Sequence, residues 1–99
     1  MIHLITTLQI YGDLIRDQRS VGYYETYEKA CEAVCENRCD IYEGCYNYAI
    51  IESVPSGMYP DVVTTHWFHV VKGESEEEIT YTEVEKPKFA EHSCICGIG

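Results

Sequence analysis

Residues 21–52, VGYYETYEKACEAVCENRCDIYEGCYNYAIIE, constrain the fold most, because they join a helix with one packed face to a strand suited to the centre of a sheet. The Thr26 hydroxyl can accept a bond from an early free N–H of the helix, and Glu25 and Glu28 sit where the helix dipole favours negative charge. From Tyr27, apolar residues recur at Ala30, Cys31, Val34 and Cys35, the i, i+3, i+4, i+7, i+8 spacing of one buried stripe. Glu28, Lys29, Glu32 and Glu36 fall on the opposite side. Asn37 tolerates the left-handed conformation that ends a helix, and residues 40–44 suit a further short turn. From Tyr46 the run YNYAIIESV is rich in β-formers and stops at Pro55, Ser56 and Gly57.

The remaining segments attach to this unit as strands. Ile2 to Tyr11 (IHLITTLQIY) reads as strand one, with Ile5, Leu8, Ile10 and two threonines. Residues 12–20 (GDLIRDQRS) are polar and read as a long hairpin connection to a short second strand over 21–24. Pro55, Gly57 and Pro60 break the chain before a strand over 62–71 (VVTTHWFHVV), and the charged GESEEE turn leads to a last strand, Ile79 to Val84. The order β-β-α-β-β-β predicts an α+β fold, a small antiparallel sheet with one helix on one face. One domain over residues 1–99 is expected, its tail from 87 to 99 either docked through Phe89, Ile95 and Ile98 or loosely ordered.

Charge narrows the partners. A net charge of −10, from 17 acidic and 7 basic residues, argues against binding nucleic-acid backbones, which needs clustered Lys and Arg. Acidity also serves solubility. No run approaches the roughly 18 apolar residues of a membrane span, and no basic segment followed by an apolar one opens the chain, so a cytoplasmic protein is expected. Cysteine numbers six, spaced C-x3-C-x3-C over Cys31, Cys35 and Cys39, with Cys45 following and C-x-C at Cys94 and Cys96. Without a C-x2-C pair these match tetrahedral zinc poorly, and in a reducing compartment they read as reduced structural or surface thiols. His66 and His69 lie three apart on one strand, so they point to opposite faces and cannot share a metal. No phosphate-binding glycine loop and no hydrolase or kinase motif is present, so neither a cofactor nor catalysis is expected.

The combination of GYYETYEKA, CDIYEGCYNYAIIESVPSGMYP, HWF and a closing CGIG resembles a family of small proteins encoded by Firmicute phages and mobile elements. That family's pattern is G-Y-F-x-T-x-E-x-A, D-I-Y-E, Y-x-Y-A-x-I-E, G-x-Y-P and W-F. Gly22, Tyr23, Thr26, Glu28 and Ala30 fit its first part, with a shift of register at the Glu–Ala pair. Asp40, Ile41, Tyr42, Glu43, Tyr46, Tyr48, Ala49, Ile51, Glu52, Gly57, Tyr59, Pro60, Trp67 and Phe68 fit the rest. The tail departs, with Cys94 and Cys96 where the family often has a polar–aromatic pair, and the helix cysteines lie outside the pattern.

By analogy the resemblance implies a phage-type protein that counters host defence. Two mechanisms make different demands on the residues. A sponge would sequester a small nucleotide signal, a cyclic oligonucleotide or a cyclic ADP-ribose derivative, between aromatic rings and a few arginines. Tyr23, Tyr24, Tyr46, Tyr48, Trp67 and Phe68 would stack on bases, and Arg16, Arg19 and Arg38 would hold phosphates. Nine tyrosines, one tryptophan and two phenylalanines exceed what one small helix–sheet interface needs, so a homo-oligomer with sites at subunit boundaries is expected. The alternative is an acidic inhibitor of a host defence enzyme such as a CRISPR nuclease, presenting Asp40, Glu43, Glu74, Glu76, Glu77 and Glu78 to a basic groove.

Overall fold

The structure, a computed structural model, describes residues 1–57, 62–74 and 78–87. The chain forms β1 (Ile2–Tyr11), β2 (Leu14–Tyr24), α1 (Tyr27–Cys35), a short 3₁₀ turn (Arg38–Asp40), β3 (Tyr48–Val54), β4 (Thr64–Lys72) and β5 (Ile79–Val84). All strand pairs are antiparallel in one sheet of order β2-β1-β3-β4-β5, with β3 at its centre. This is the α+β arrangement expected from the sequence. No helix of the described residues is long and apolar enough to cross a membrane. The expected tail beyond residue 87 and the acidic residues Glu76 and Glu77 lie outside the described residues.

The helix begins where its cap allows. Thr26 is extended, with φ −124° and ψ 144°, and its Oγ1 accepts the Lys29 N–H at 3.4 Å. Ala30, Ala33 and Val34 are buried against the sheet, while Tyr27, Cys31 and Cys35 pack half-buried around them. The helix-side core is completed by Ile5, Ala49, Ile51, Phe68, Val70 and Tyr81. The opposite sheet face carries a second buried cluster, Leu8, Ile10, Ile50 and Trp67, with Ile15 and Tyr48 at its margin. Alternation along each strand produces this division, since neighbouring residues such as Trp67 and Phe68 point to opposite faces.

One expectation needs correction. Residues 12–20 are not a long connection. Tyr11 pairs with Leu14, so Gly12 and Asp13 alone make the hairpin turn, and β2 runs for 11 residues. Gly12 takes the φ of 61° that a two-residue hairpin turn demands and that other residues resist. The segment looks like a loop because β2 is an edge strand exposed along most of its length, so it lacks the apolar alternation of a buried strand. Two register shifts leave Arg16 and Val21 without partners on β1, which marks each as a bulge.

A smaller difference concerns the start of β3. Ordered pairing begins at Tyr48 rather than Tyr46 because Asn47 intervenes: its side chain accepts the Ile10 N–H at 2.9 Å and donates to the Ile10 carbonyl at 2.8 Å. Tyr46 instead tucks under the sheet edge. Its hydroxyl donates to Asp17 at 2.9 Å, and its carbonyl accepts the Tyr81 hydroxyl at 2.5 Å.

Candidate functional site

Between the helix and β3 the chain makes a turn with an unusual backbone. Asn37, Cys39, Asp40 and Glu43 all have positive φ, between 46° and 55°, without being glycine. Such residues cost free energy unless their surroundings hold them. Asn37 supplies part of that hold: its Oδ1 accepts the Tyr42 N–H at 3.0 Å, and its Nδ2 donates to Asp40 at 3.3 Å. The turn thereby projects alternate residues to two sides. Arg38, Cys39, Ile41 and Glu43 face β2, and Asp40, Tyr42 and Gly44 face the β4–β5 hairpin.

The side facing β2 is a groove of about 380 Å³, closed along its other wall by Arg19, Tyr23 and Tyr24. Tyr24 packs on the helix side and flanks the groove, whereas Tyr23, 60% exposed and paired with Leu4, points its ring to the opposite sheet face. Arg38 is held by the Tyr24 hydroxyl and by Glu36 at 3.0 Å and Glu32 at 2.9 Å; these partners, the Tyr24 bond foremost, raise its pKa. Arg19 meets Glu43 at 3.2 Å across the groove, both side chains being about half exposed. An exposed pair of this kind contributes about 0–1 kcal/mol, so a phosphate can take the place of the carboxylate at small cost.

Three of the nine residues expected from the sequence therefore converge: Arg19, Tyr24 and Arg38. The other six, Tyr23 among them, do not join them. Arg16 sits at the bulge near the hairpin, its guanidinium 5.7 Å from the centre of the Tyr11 ring. Phe68 is 0% exposed within the helix-side core, and Trp67 is 2% exposed on the opposite face. Tyr46 is buried as well, and its bond to Asp17 raises its pKa. Tyr48 lies half-buried on the far face, its ring 6.1 Å from Trp67 and 4.7 Å from His69. These rings are occupied by packing and offer little surface for a base. Sequence reasoning missed Cys39 and Ile41 in the groove and assigned Glu43 only to an acidic face.

A second recess, about 510 Å³, lies on the other side of the turn, lined by Asp40, Tyr42, Gly44, Lys72, Gly73, Glu74 and Ile79. Lys72 holds its ammonium 5.0 Å from the centre of the Tyr42 ring, and the Tyr42 hydroxyl raises its pKa. Near the helix start a third set of polar side chains gathers. His3 Nδ1 lies 2.7 Å from Ser53 Oγ, His66 Nδ1 lies 2.9 Å from Glu83, and the Tyr27 ring lies between the two imidazoles. Ser53 is buried, so this pair lacks the access a nucleophile needs. Burial, followed by a bond to Cys31, pushes the Cys35 thiol up to about 11, which keeps it protonated and unreactive near neutrality. Among the described residues no three His, Cys, Asp or Glu side chains gather as a metal site. Comparison with protein-family models, with curated proteins and with solved structures finds no match.

Proposed function

We propose that the protein binds and sequesters a small anionic nucleotide, a cyclic oligonucleotide or a cyclic ADP-ribose derivative, without altering it, as a phage-type counter-defence protein working as a homo-oligomer. The single observation that carries this reading is the convergence of Arg19, Arg38 and Tyr24 on one groove of a size suited to a small ligand. Two guanidinium groups supply forked donors for phosphate oxygens, and the Tyr24 ring beside them supplies a surface for a base. In the unliganded protein Glu43, Glu32 and Glu36 act as resting counter-ions, which reconciles two arginines with a net charge of −10.

The test is calorimetric titration with cyclic di- and trinucleotides and ADP-ribose isomers. Arg19→Ala is expected to weaken binding at least tenfold and Glu74→Gln to leave it unchanged; no binding by any of these ligands would refute the reading. A second reading has its own support, since Asp40 and Glu74 line the recess beside the turn and would face a basic protein surface. That inhibitor would respond in the opposite sense, losing its partner on Asp40→Asn and Glu74→Gln and not on Arg19→Ala.

A further inference from the structure

The outer strand β2 contains the triplet Asp17-Gln18-Arg19, which is its own complement when two copies run antiparallel. Among the described residues β2 ends the strand order, so one side of it has no neighbouring strand there. The Arg19 carbonyl points toward β1, where it accepts the Thr7 hydroxyl at 3.3 Å. Backbone groups alternate along an antiparallel strand, so those of Gln18 point outward. An outward N–H and C=O form a template for another strand.

We propose that a second copy of this chain docks there, β2 against β2 about a two-fold axis through Gln18, extending the sheet from one protomer into the other. Asp17 of each copy then lies opposite Arg19 of the other, and the two Gln18 residues face each other on the axis. Asp17 and Arg19 both point to the helix side, since Asp17 reaches Tyr46 and Arg19 reaches Glu43, so the two ion pairs form on one face of the joined sheet. Asp17 Oδ1 now accepts the Gln18 N–H at 2.9 Å. On docking, the Gln18 carbonyl of the partner copy takes that N–H and Oδ1 turns to Arg19 of the partner copy, so the local Asp17–Gln18 bond and the exposed Arg19–Glu43 pair are exchanged for two contacts between chains.

Charge explains why this edge is suited to a second copy. The whole chain carries −10 and repels itself, whereas the Asp17-Gln18-Arg19 triplet of β2 is neutral and places opposite charges in register with a second copy. Leu14, Val21 and Tyr23 are exposed large apolar residues on the same strand and flank the triplet. The bulges at Arg16 and Val21 confine regular pairing to the four residues between them, so the contact is short and depends on concentration. The interface specifies the homo-oligomer of the proposed function and shares Arg19 with the groove, so association is measured without ligand.

Sedimentation equilibrium over a range of concentrations tests the interface. The native chain is expected to associate to a dimer. Asp17→Arg and Arg19→Asp each convert both ion pairs into like-charge contacts and are expected to weaken association about tenfold or more. Mixing the two single variants recreates opposite charges at both positions and is expected to restore a heterodimer; the double swap in one chain restores the homodimer. That rescue separates loss of the interface from loss of the fold, which thermal unfolding of each variant also monitors. A native chain that stays monomeric at the highest soluble concentration, single variants that associate as well as the native chain, or charge swaps that fail to rescue would each overturn the proposal.

Discussion

Replacing Phe68 with alanine separates core from site. Phe68 is fully buried on β4 beneath the helix, and its neighbours there include Ala30, Ala33 and Ala49, whose methyl groups cannot reach into the space a lost ring leaves. Truncating a buried phenylalanine costs about 3–5 kcal/mol, and a site that collapses poorly lies toward the upper end. Domains of this size hold about 5–15 kcal/mol in total, so the variant should remain folded at low temperature with little reserve. At roughly 4 °C per kcal/mol, the expected fall in Tm is on the order of 15 °C. Urea unfolding followed by circular dichroism gives the same quantity as a midpoint about 2 M lower, taking a slope of about 2 kcal/mol/M. Ligand affinity measured well below the transition should be unchanged, because Phe68 does not line the groove. An unchanged midpoint together with lost affinity would refute the assignment of this ring to the core.

Glu43→Gln removes the resting counter-ion of Arg19 and should tighten binding of an anionic ligand by up to about fivefold, read by calorimetry; weaker binding would mean that Glu43 itself contacts the ligand. Tyr81→Phe leaves the buried Tyr46 carbonyl without its donor and should cost about 1–3 kcal/mol in chemical denaturation, with no effect on the groove. Alkali should destabilise the fold. Burial raises Cys35 from 9.0 to about 11 and also raises Tyr27 and Tyr81 above 10.0, so the unfolded chain loses these protons before the folded one does. Their contribution is complete below pH 9 and falls as pH rises from about 9 through 11; a urea midpoint that stays level across that window would contradict it.

Strong local signals made most of the fold legible. The apolar stripe placed α1, Thr26 marked its start, and Asn37 took the expected left-handed backbone, with φ 52° and ψ 45°. β1 and β5 follow from runs of β-formers closed by turns. Only the end of β2, residues 21–24, was read as a strand; residues 14–20 escaped notice because an exposed, bulged edge strand buries too little to need apolar alternation, and its charged residues suit a loop equally well. The candidate site was legible only in part, for a related reason. A ring beside the groove and a ring filling a core have the same chemistry, and the difference between Tyr24 and Phe68 is set by which strand and which position carries them. The left-handed residues at Cys39 and Glu43 had no sequence mark either, since the side chains that usually signal such a backbone are glycine, asparagine and aspartate, as at Asp40.

The most direct measurement is the change in backbone amide NMR shifts as the tightest-binding member of the nucleotide panel is added. Binding in the groove between β2 and the turn should perturb residues 19–24 and 38–43, and Arg19→Ala should abolish the effect. Shifts centred instead on Gly44 and residues 72–74, or no shift with any member of the panel, would contradict an anion-binding groove.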